Sequence, residues 1–172
     1  MIFTTIALFS CGIFFGAAVY ISLVQHPAAI EAGVAVGGRF FPAMYNRAAP
    51  MQIILALVGF LSGIAAWLST DNILWIAGAL LLISVVSITL IIIKPINDIL
   101  LSPENDPESE QTRQLLLKWG PKHWIRTVVS GLSFLSTYMQ QLPEAELDYC
   151  GKVNTGLWSC GSWKNHLCTI SV

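Results

Sequence analysis

Long runs of apolar residues, broken by short polar stretches, dominate the chain up to residue 93. Residues 1–30 contain no charged residue, and only Asp71 interrupts the stretch 48–93. A helix needs about 20 consecutive apolar residues to cross the hydrocarbon core of a bilayer. The pattern therefore predicts three membrane-spanning helices, over residues 2–24, 51–68 and 73–93.

The first apolar run stops at Gln25, His26 and Pro27, where polarity and proline predict the end of the helix. A cleaved signal peptide is the alternative interpretation of this run. However, no basic residue precedes the run, and it is longer than the roughly 7–15 apolar residues typical of such a peptide. We therefore expect a retained membrane span.

Two connections of different length follow the first and second spans. Residues 25–50 predict a loop that contains a short interfacial helix at 39–49, because aromatic residues cluster there. Only residues 69–72 separate the second span from the third, so these two helices must be antiparallel neighbours. Asp71 and Asn72 mark this turn and can cap the helix that follows.

The fourth predicted helix is the least apolar. Pro95 predicts the end of the third span, and residues 102–112 predict an acidic loop that is solvated and mobile. Gly120 and Pro121 then predict a break before a helix over 122–139, of which only the last 13 residues are cleanly apolar. That length is short of the roughly 20 residues that a span requires.

The predicted fold is thus an all-α integral membrane four-helix bundle over residues 1–142, with three clear spans and a short or truncated fourth. Two small-residue pairs favour close packing of helices in lipid. They are Gly12-x3-Gly16 and Gly59-x3-Gly63. Residues 143–172 are polar without periodicity and predict a disordered tail, whose cysteine spacing matches no common zinc or redox motif.

Composition excludes several classes of function. Charged residues make up 11% of the chain, against about 25% in an average soluble domain, and apolar residues make up 55%. The formal net charge of −1 leaves no basic surface for nucleic acid. The sequence contains no phosphate-binding loop, dinucleotide motif, metal motif or serine-hydrolase motif. An enzyme of this composition has to work with acid, base and oxyanion-stabilising groups.

Lysine and arginine are unevenly distributed between the two sides of the predicted bundle. Seven of the nine lie in or beside the connections 25–50 and 94–124, and the other two lie in the tail. Because cytoplasmic connections carry an excess of these residues, we expect a multi-pass protein with both loops in the cytoplasm. Its N-terminus then faces the lumen or the exterior.

Polar and ionisable residues gather at the same ends of the predicted helices. They are His26, Arg39, Arg47, Asn97, Trp119, His123 and Arg126. Interfacial anchoring is an ordinary explanation for arginine, tryptophan and histidine at such positions. A catalytic explanation is the alternative, because a mostly apolar crevice with these groups suits a small aromatic substrate that partitions from lipid.

His123 and Arg126 are three residues apart and therefore share one face of a helix. If Pro121 opens that helix, His123 lies in its first turn, where the positive helix end favours the neutral imidazole that a base needs. Asn97, just beyond the third span, can donate a hydrogen bond to an oxyanion from across the bundle.

Four segments together resemble one family of small four-helix membrane proteins, which includes the fungal anthrone oxygenases of polyketide pathways. The segments are LVQHP (23–27), RFFPAMYNRAAPMQ (39–52), KPIN (94–97) and W-x3-H-x2-R (119–126). The resemblance covers about residues 1–136. It implies a membrane-bound monooxygenase of secondary-metabolite biosynthesis that converts an anthrone into an anthraquinone with O2 and without flavin, haem or metal.

The resemblance also implies roles for individual residues. His123 is expected to be the general base, while Arg126 and Asn97 stabilise the enolate oxygen and Trp119 stacks on the substrate rings. His26 and Arg47 match family positions with unseparated roles in substrate binding, and His26 is the other candidate base. A non-catalytic membrane protein, either a lipophile binder or an accessory subunit, is the alternative function.

The charge asymmetry generates a topological prediction. Protease added to sealed microsomes should cut the chain within residues 102–112, because that loop is expected on the cytoplasmic side. Cleavage is followed by the size of the membrane-protected fragment, and detergent-opened microsomes provide the control. Protection of the loop until detergent is added would invert the predicted orientation.

Overall fold

A computed structural model describes residues 1–142 of the chain. These residues form four helices and no strand, as the all-α prediction requires. The helices are α1 (Ile2–Glu31), α2 (Val34–Thr70), α3 (Leu74–Leu100) and α4 (Glu110–Met139). The predicted tail, 143–172, lies outside the described residues. The predicted four-helix architecture is therefore confirmed.

Helices α1, α2 and α3 are each long and apolar enough to cross a membrane, by length and composition. Their outward side chains are large and hydrophobic, as in a protein surrounded by lipid, and Leu61 and Leu68 are examples. The first two predicted spans lie within α1 and α2, and the third lies within α3 except for Ile73, which precedes the helix. All three helices continue beyond the bounds that the hydropathy pattern predicts.

Helix α4 is 30 residues long, or about 45 Å, and packs mainly against α1 and α3. Its outer face carries exposed apolar side chains such as Val128, Leu132 and Leu135, whereas its inner face is buried and largely polar. The predicted fourth helix, 122–139, is therefore too short, because the helix already begins at Glu110. The polar residues within its apolar part, such as Ser130 and Ser133, are buried in the bundle.

The predicted helix breaks at Pro27 and Pro95 are wrong. Each proline follows a π-helical turn, at Ile21–Gln25 in α1 and at Thr89–Ile93 in α3. A proline ring normally clashes with the carbonyl four residues earlier, and that carbonyl lies inside the wider π turn in both helices. The helix can consequently continue through the proline.

Helices α2 and α4 also continue through prolines. Pro42 and Pro50 lie inside α2, so the predicted loop with a separate interfacial helix is wrong. Pro121 lies inside α4, so no break precedes His123. In a membrane bundle the tertiary packing can hold such a helix together, because a break would expose backbone groups that no water can satisfy.

The connections between helices are short and locally defined. Gly33, with a φ of 101°, separates α1 from α2, in a region that favours glycine. Asp71 adopts the left-handed conformation after α2 and donates its N–H to the carbonyl of Trp67. The Asn72 side chain accepts from Leu74 N–H at 3.0 Å, although the N-cap position of α3 is occupied by Ile73 and not by the predicted Asp71 or Asn72.

The acidic connection to α4 is packed rather than free, which corrects the expected mobile loop. Ser109 caps α4 by accepting from Thr112 N–H at 3.2 Å, and the buried Thr112 hydroxyl donates to the carbonyl of Asp106 at 2.7 Å. Pro107 packs so closely on Gly38 of α2 that a Cβ there would lie 2.6 Å from its carbonyl oxygen.

Glycines permit the closest helix contacts of the bundle. A Cβ added to Gly59 would meet Leu82 at 2.5 Å, and one added to Gly63 would meet the Cβ of Ala79 at 2.8 Å. The predicted packing role thus holds for both glycines of α2. On α1, Gly12 lies close to Phe134, whereas Gly16 has nothing within 4 Å.

The substitution Gly63→Ala should destabilise the bundle by about 1–3 kcal/mol, because neither backbone can yield without moving a helix. Gly16→Ala is the matched control, since both changes gain the same helix propensity and only Gly63 faces a neighbour. Thermal unfolding in detergent measures the difference. Equal unfolding temperatures for the two variants would show that this contact is not tight.

Candidate active site

The buried polar face of α4 borders a cavity between the four helices. The empty space inside it, counted together with the open mouth, is about 660 Å³. Most of its wall is apolar, from residues such as Phe14, Ile21 and Val85. Four polar side chains that are buried also line it: Gln52, Asn97, His123 and Arg126.

Asn97 is held by a hydrogen bond across the bundle. It lies just after the π-helical turn of α3, is 1% exposed, and accepts a hydrogen bond from Trp119 Nε1 at 2.8 Å. Its amide nitrogen Nδ2 is buried without a partner among the described residues. Since an unpaired buried donor costs about 1–3 kcal/mol, this amide is a candidate to bind an oxygen of a ligand.

A hydrogen bond and an aromatic stacking contact together fix the orientation of the His123 ring. Its Nδ1 lies 2.8 Å from Ser22 Oγ, which in turn lies 2.9 Å from Thr127 Oγ1. The ring stacks on Trp119 with 4.5 Å between centroids and 21° between planes. Within the described part of the chain Nε2 makes no hydrogen bond, so this nitrogen is available to a ligand in the cavity.

The hydroxyl groups of Ser22 and Thr127 allow one consistent assignment of donors and acceptors in the hydrogen bonds that start at His123 Nδ1. Thr127 Oγ1 lies within 3.3 Å of two carbonyl oxygens, those of Ala18 and His123, which can only accept. If Thr127 donates to one of them, Ser22 donates to Thr127 and His123 Nδ1–H donates to Ser22. That order leaves the lone pair on Nε2, the form that a base requires.

Arg126 is a buried cation that has no carboxylate partner within residues 1–142. It is 8% exposed, donates from Nη2 to Gln52 Oε1, and places its Cζ 5.4 Å from the centroid of the Phe14 ring. The ion pairs found in residues 1–142 involve exposed side chains elsewhere. Buried charges are normally paired, so an anionic ligand is the missing partner that this site suits best.

Three orphaned donors share this cavity. Gln52 Nε2, Asn97 Nδ2 and Arg126 Nε are all buried without a hydrogen-bond partner in the described structure, and all three residues line the cavity. None of the three reaches an acceptor within residues 1–142, and most of the surrounding wall is apolar. The arrangement therefore suits an aromatic ligand that carries several acceptor oxygens, at least one of them negatively charged.

His26 lies beside this cavity rather than in its wall. It lines a second, smaller cavity, and the two cavities share Ile21, Met44 and Trp119. His26 Nε2 donates to the carbonyl of Leu116 at 2.9 Å, and its ring is 5.2 Å from that of Trp119. The indole thus contacts both candidate bases, His123 and His26.

The two arginines of α2 lie apart from the cavities. Arg47 is exposed and lines neither, and Arg39 forms a 2.5 Å ion pair with Glu108 at the surface. The predicted position of His123 in a first helical turn is also wrong. Because α4 begins at Glu110, His123 lies more than three turns inside it, beyond the reach of the helix end.

Sequence reasoning missed three residues of the site: Gln52, Ser22 and Thr127. Gln52 had a usable signal, because an amide within an apolar span usually faces the bundle interior. Ser22 and Thr127 had none, since single hydroxyls are common in membrane helices, where they bond to backbone carbonyls. In residues 1–142, no group of three or more His, Cys, Asp or Glu side chains is placed to hold a metal ion.

A family model described as anthrone oxygenase matches residues 41–136, more than half of the 172-residue chain. The matched stretch contains every buried polar residue that lines the larger cavity, from Gln52 to Arg126. No curated protein and no solved structure is significantly similar to the chain.

The Trp119–Asn97 hydrogen bond generates a stability prediction. Trp119→Phe removes the N–H donor and leaves Asn97 Oδ1 unsatisfied, so unfolding free energy should fall by about 1–3 kcal/mol beyond the loss from ring size. Trp124→Phe on the exposed face of α4 is the control. A double-mutant cycle with Asn97→Leu isolates the bond, and a coupling energy near zero would contradict it.

Proposed function

This chain belongs to the anthrone oxygenase family, and on that premise we propose that it oxidises an anthrone-type polyketide to an anthraquinone with O2. The proposed enzyme is bound to the membrane, acts in secondary-metabolite biosynthesis and needs no flavin, haem or metal. Its substrate is a small aromatic polyketide that dissolves in membrane lipid.

The observation that carries the proposal is the buried guanidinium of Arg126, which has no carboxylate partner within residues 1–142 and lines a mainly apolar cavity together with His123. An anthrone is neutral, and it becomes an anion when a base removes a proton from its central CH2 group. A cation that lacks a partner in the resting site gains one only when that charge develops. Such an interaction stabilises the transition state more than the bound substrate and therefore accelerates the reaction.

His123 is the proposed base. Nε2 takes the proton from the CH2 group, and Nδ1–H continues to donate to Ser22 in both the neutral and the protonated ring. No hydroxyl has to reorient when the imidazolium forms, which keeps the site prepared for the step. General base catalysis of this kind contributes about 10²–10⁴ in rate.

The carbanion is delocalised onto the carbonyl oxygen as an electron-rich phenolate, which can react with O2 without a cofactor. Overall the CH2 group and O2 become a carbonyl group and one water molecule, so one oxygen atom enters the product and the other leaves as water. The orphaned donors of Arg126, Asn97 and Gln52 are the groups proposed to stabilise the phenolate oxygens.

Trp119 is proposed to act mainly by holding other residues. It stacks on His123 and donates to Asn97, so the indole positions both the base and an oxyanion donor. The aromatic rings of the substrate are proposed to occupy the apolar wall near Phe14 and Val85. This role differs from the stacking role that the family resemblance implies.

The direct test is conversion of emodin anthrone to emodin by membranes that contain the protein. Empty membranes and buffer in air are required controls, because anthrones oxidise spontaneously. Conversion that exceeds both controls and rises with the amount of protein supports the enzyme. Binding of emodin anthrone without conversion would instead favour the non-catalytic alternative, a lipophile-binding or accessory protein.

His123→Ala should lower turnover per molecule by about 10²-fold or more, with little loss of protein from the membrane. His26→Ala is the matched comparison, because this histidine also contacts Trp119 but lines the other cavity. Its turnover should fall far less. The reverse order of effects would assign the base to His26, and unchanged turnover in both variants would exclude histidine base catalysis.

Arg126→Lys should have a turnover between those of the wild type and Arg126→Ala. Lysine keeps the charge but loses the planar fork through which Arg126 binds Gln52 and presents a second donor. Initial rates and membrane abundance are measured together for each variant. If Arg126→Lys were as active as the wild type, the arginine would serve as an anchor rather than as an oxyanion donor.

A further inference from the structure

The larger cavity is closed at its polar end and open at its apolar end. Asn97, His123 and Trp119 are buried, and the strongly exposed residues in its lining are Ile53 of α2, at 48%, and Leu90 of α3, at 56%. Both are aliphatic. The mouth is therefore apolar and lies between α2 and α3, on the outer surface of the bundle.

Packing between α2 and α3 explains why an opening exists there. Near their shared turn the helices are in close contact, where Gly59 and Gly63 meet Leu82 and Ala79. Further from the turn, the π-helical turn Thr89–Ile93 packs against α4 and makes almost no backbone contact with α2. The two helices are thus in close contact near the turn, leave a gap at Thr89–Ile93, and meet again at Lys94–Leu100.

The depth of the mouth follows from the length of the helices. Ile53 lies 17 residues before the end of α2 at Thr70, and Leu90 lies 16 residues after the start of α3 at Leu74. At a rise of 1.5 Å per residue, Ile53 and Leu90 are each about 25 Å from the turn. With the turn at one membrane interface, this distance is less than the thickness of the hydrocarbon core, about 30 Å. The mouth is thus inside the bilayer, near the interface opposite the turn.

We propose that the gap between α2 and α3, bordered by Ile53 and Leu90, is a lateral portal through which a planar polycyclic phenol enters the cavity from the membrane. Such a molecule has an apolar ring system and polar hydroxyls, and molecules of that kind concentrate near the membrane interface. The identity of the ligand rests on the proposed function, whereas the portal rests on the exposure and position of these two residues.

A portal has a kinetic signature that a binding contact lacks. Narrowing the entrance slows entry and exit equally, so association and dissociation rates fall together and Kd stays constant. A residue that binds the ligand acts mainly on the dissociation rate and changes Kd. The two roles can therefore be separated by measuring both rates.

The experiment uses stopped-flow fluorescence of emodin, a hydroxyanthraquinone that does not react further, with the full-length protein in liposomes. Ile53→Trp and Leu90→Trp should each lower both rates by about tenfold while Kd changes by less than about twofold. The neighbours Ile54 and Ile91 are exposed at 60% and 74% and do not line the cavity. Ile54→Trp and Ile91→Trp should therefore match the wild type. Leu90→Ala, which widens the gap, should raise both rates.

Equal rates in all variants would overturn the portal, and so would a change in Kd without a matched change in both rates. Absence of emodin binding by the wild type would overturn it as well. The oxygenase proposal is tested separately by turnover of emodin anthrone. A protein that binds emodin through the portal but does not turn over emodin anthrone would support the portal and contradict the oxygenase function. A protein that turns over emodin anthrone but shows no change of both rates in the tryptophan variants would support the oxygenase function and contradict the portal.

Discussion

Arg126 has to be kept away from lipid, because a charged side chain in the hydrocarbon core of a membrane costs at least about 2.5–3.5 kcal/mol. The bundle meets this requirement by surrounding the guanidinium with Phe14 of α1 and Gln52 of α2. Helix α4 must then face inward with its polar side and outward with its apolar side. The cavity lies on the side of α4 that this orientation turns inward.

Because the polar side of α4 faces inward, its hydroxyl groups lie where they can donate hydrogen bonds to backbone carbonyls of other helices. Ser133 donates to the carbonyl of Gly78 on α3 at 2.8 Å, and Cys11 of α1 lies 3.6 Å from both Ser133 and Thr137. In lipid, contacts of this type replace the hydrophobic effect as a source of helix association. They continue the polar face of α4 from the site to the other end of the bundle, so the site is one part of a longer polar interior.

The helical class, the number of helices and the tight turn at Asp71 could be predicted from the sequence, because long uncharged runs and a four-residue link permit few alternatives. The helix ends at Pro27, Pro95 and Pro121 could not, because each relied on a local rule for proline that π-helical turns or tertiary packing overrode. For the site, the resemblance indicated Asn97, His123 and Arg126, which line one cavity. The resemblance could not distinguish these three residues from Arg47, which is exposed. It also could not identify Ser22, because the role of Ser22 depends on its contact with His123, which is distant in the sequence.

The two π-helical turns have a consequence for how this sequence can change by insertion and deletion. A π turn holds one residue more than the corresponding stretch of α-helix, so it offsets the residues beyond it by about 100° around the helix axis. Deleting one residue within Ile21–Gln25 would restore a regular helix and rotate the His26 segment away from Trp119. A deletion within Thr89–Ile93 would likewise turn Asn97 away from the indole. These two five-residue segments should therefore tolerate substitution far better than any change in their length.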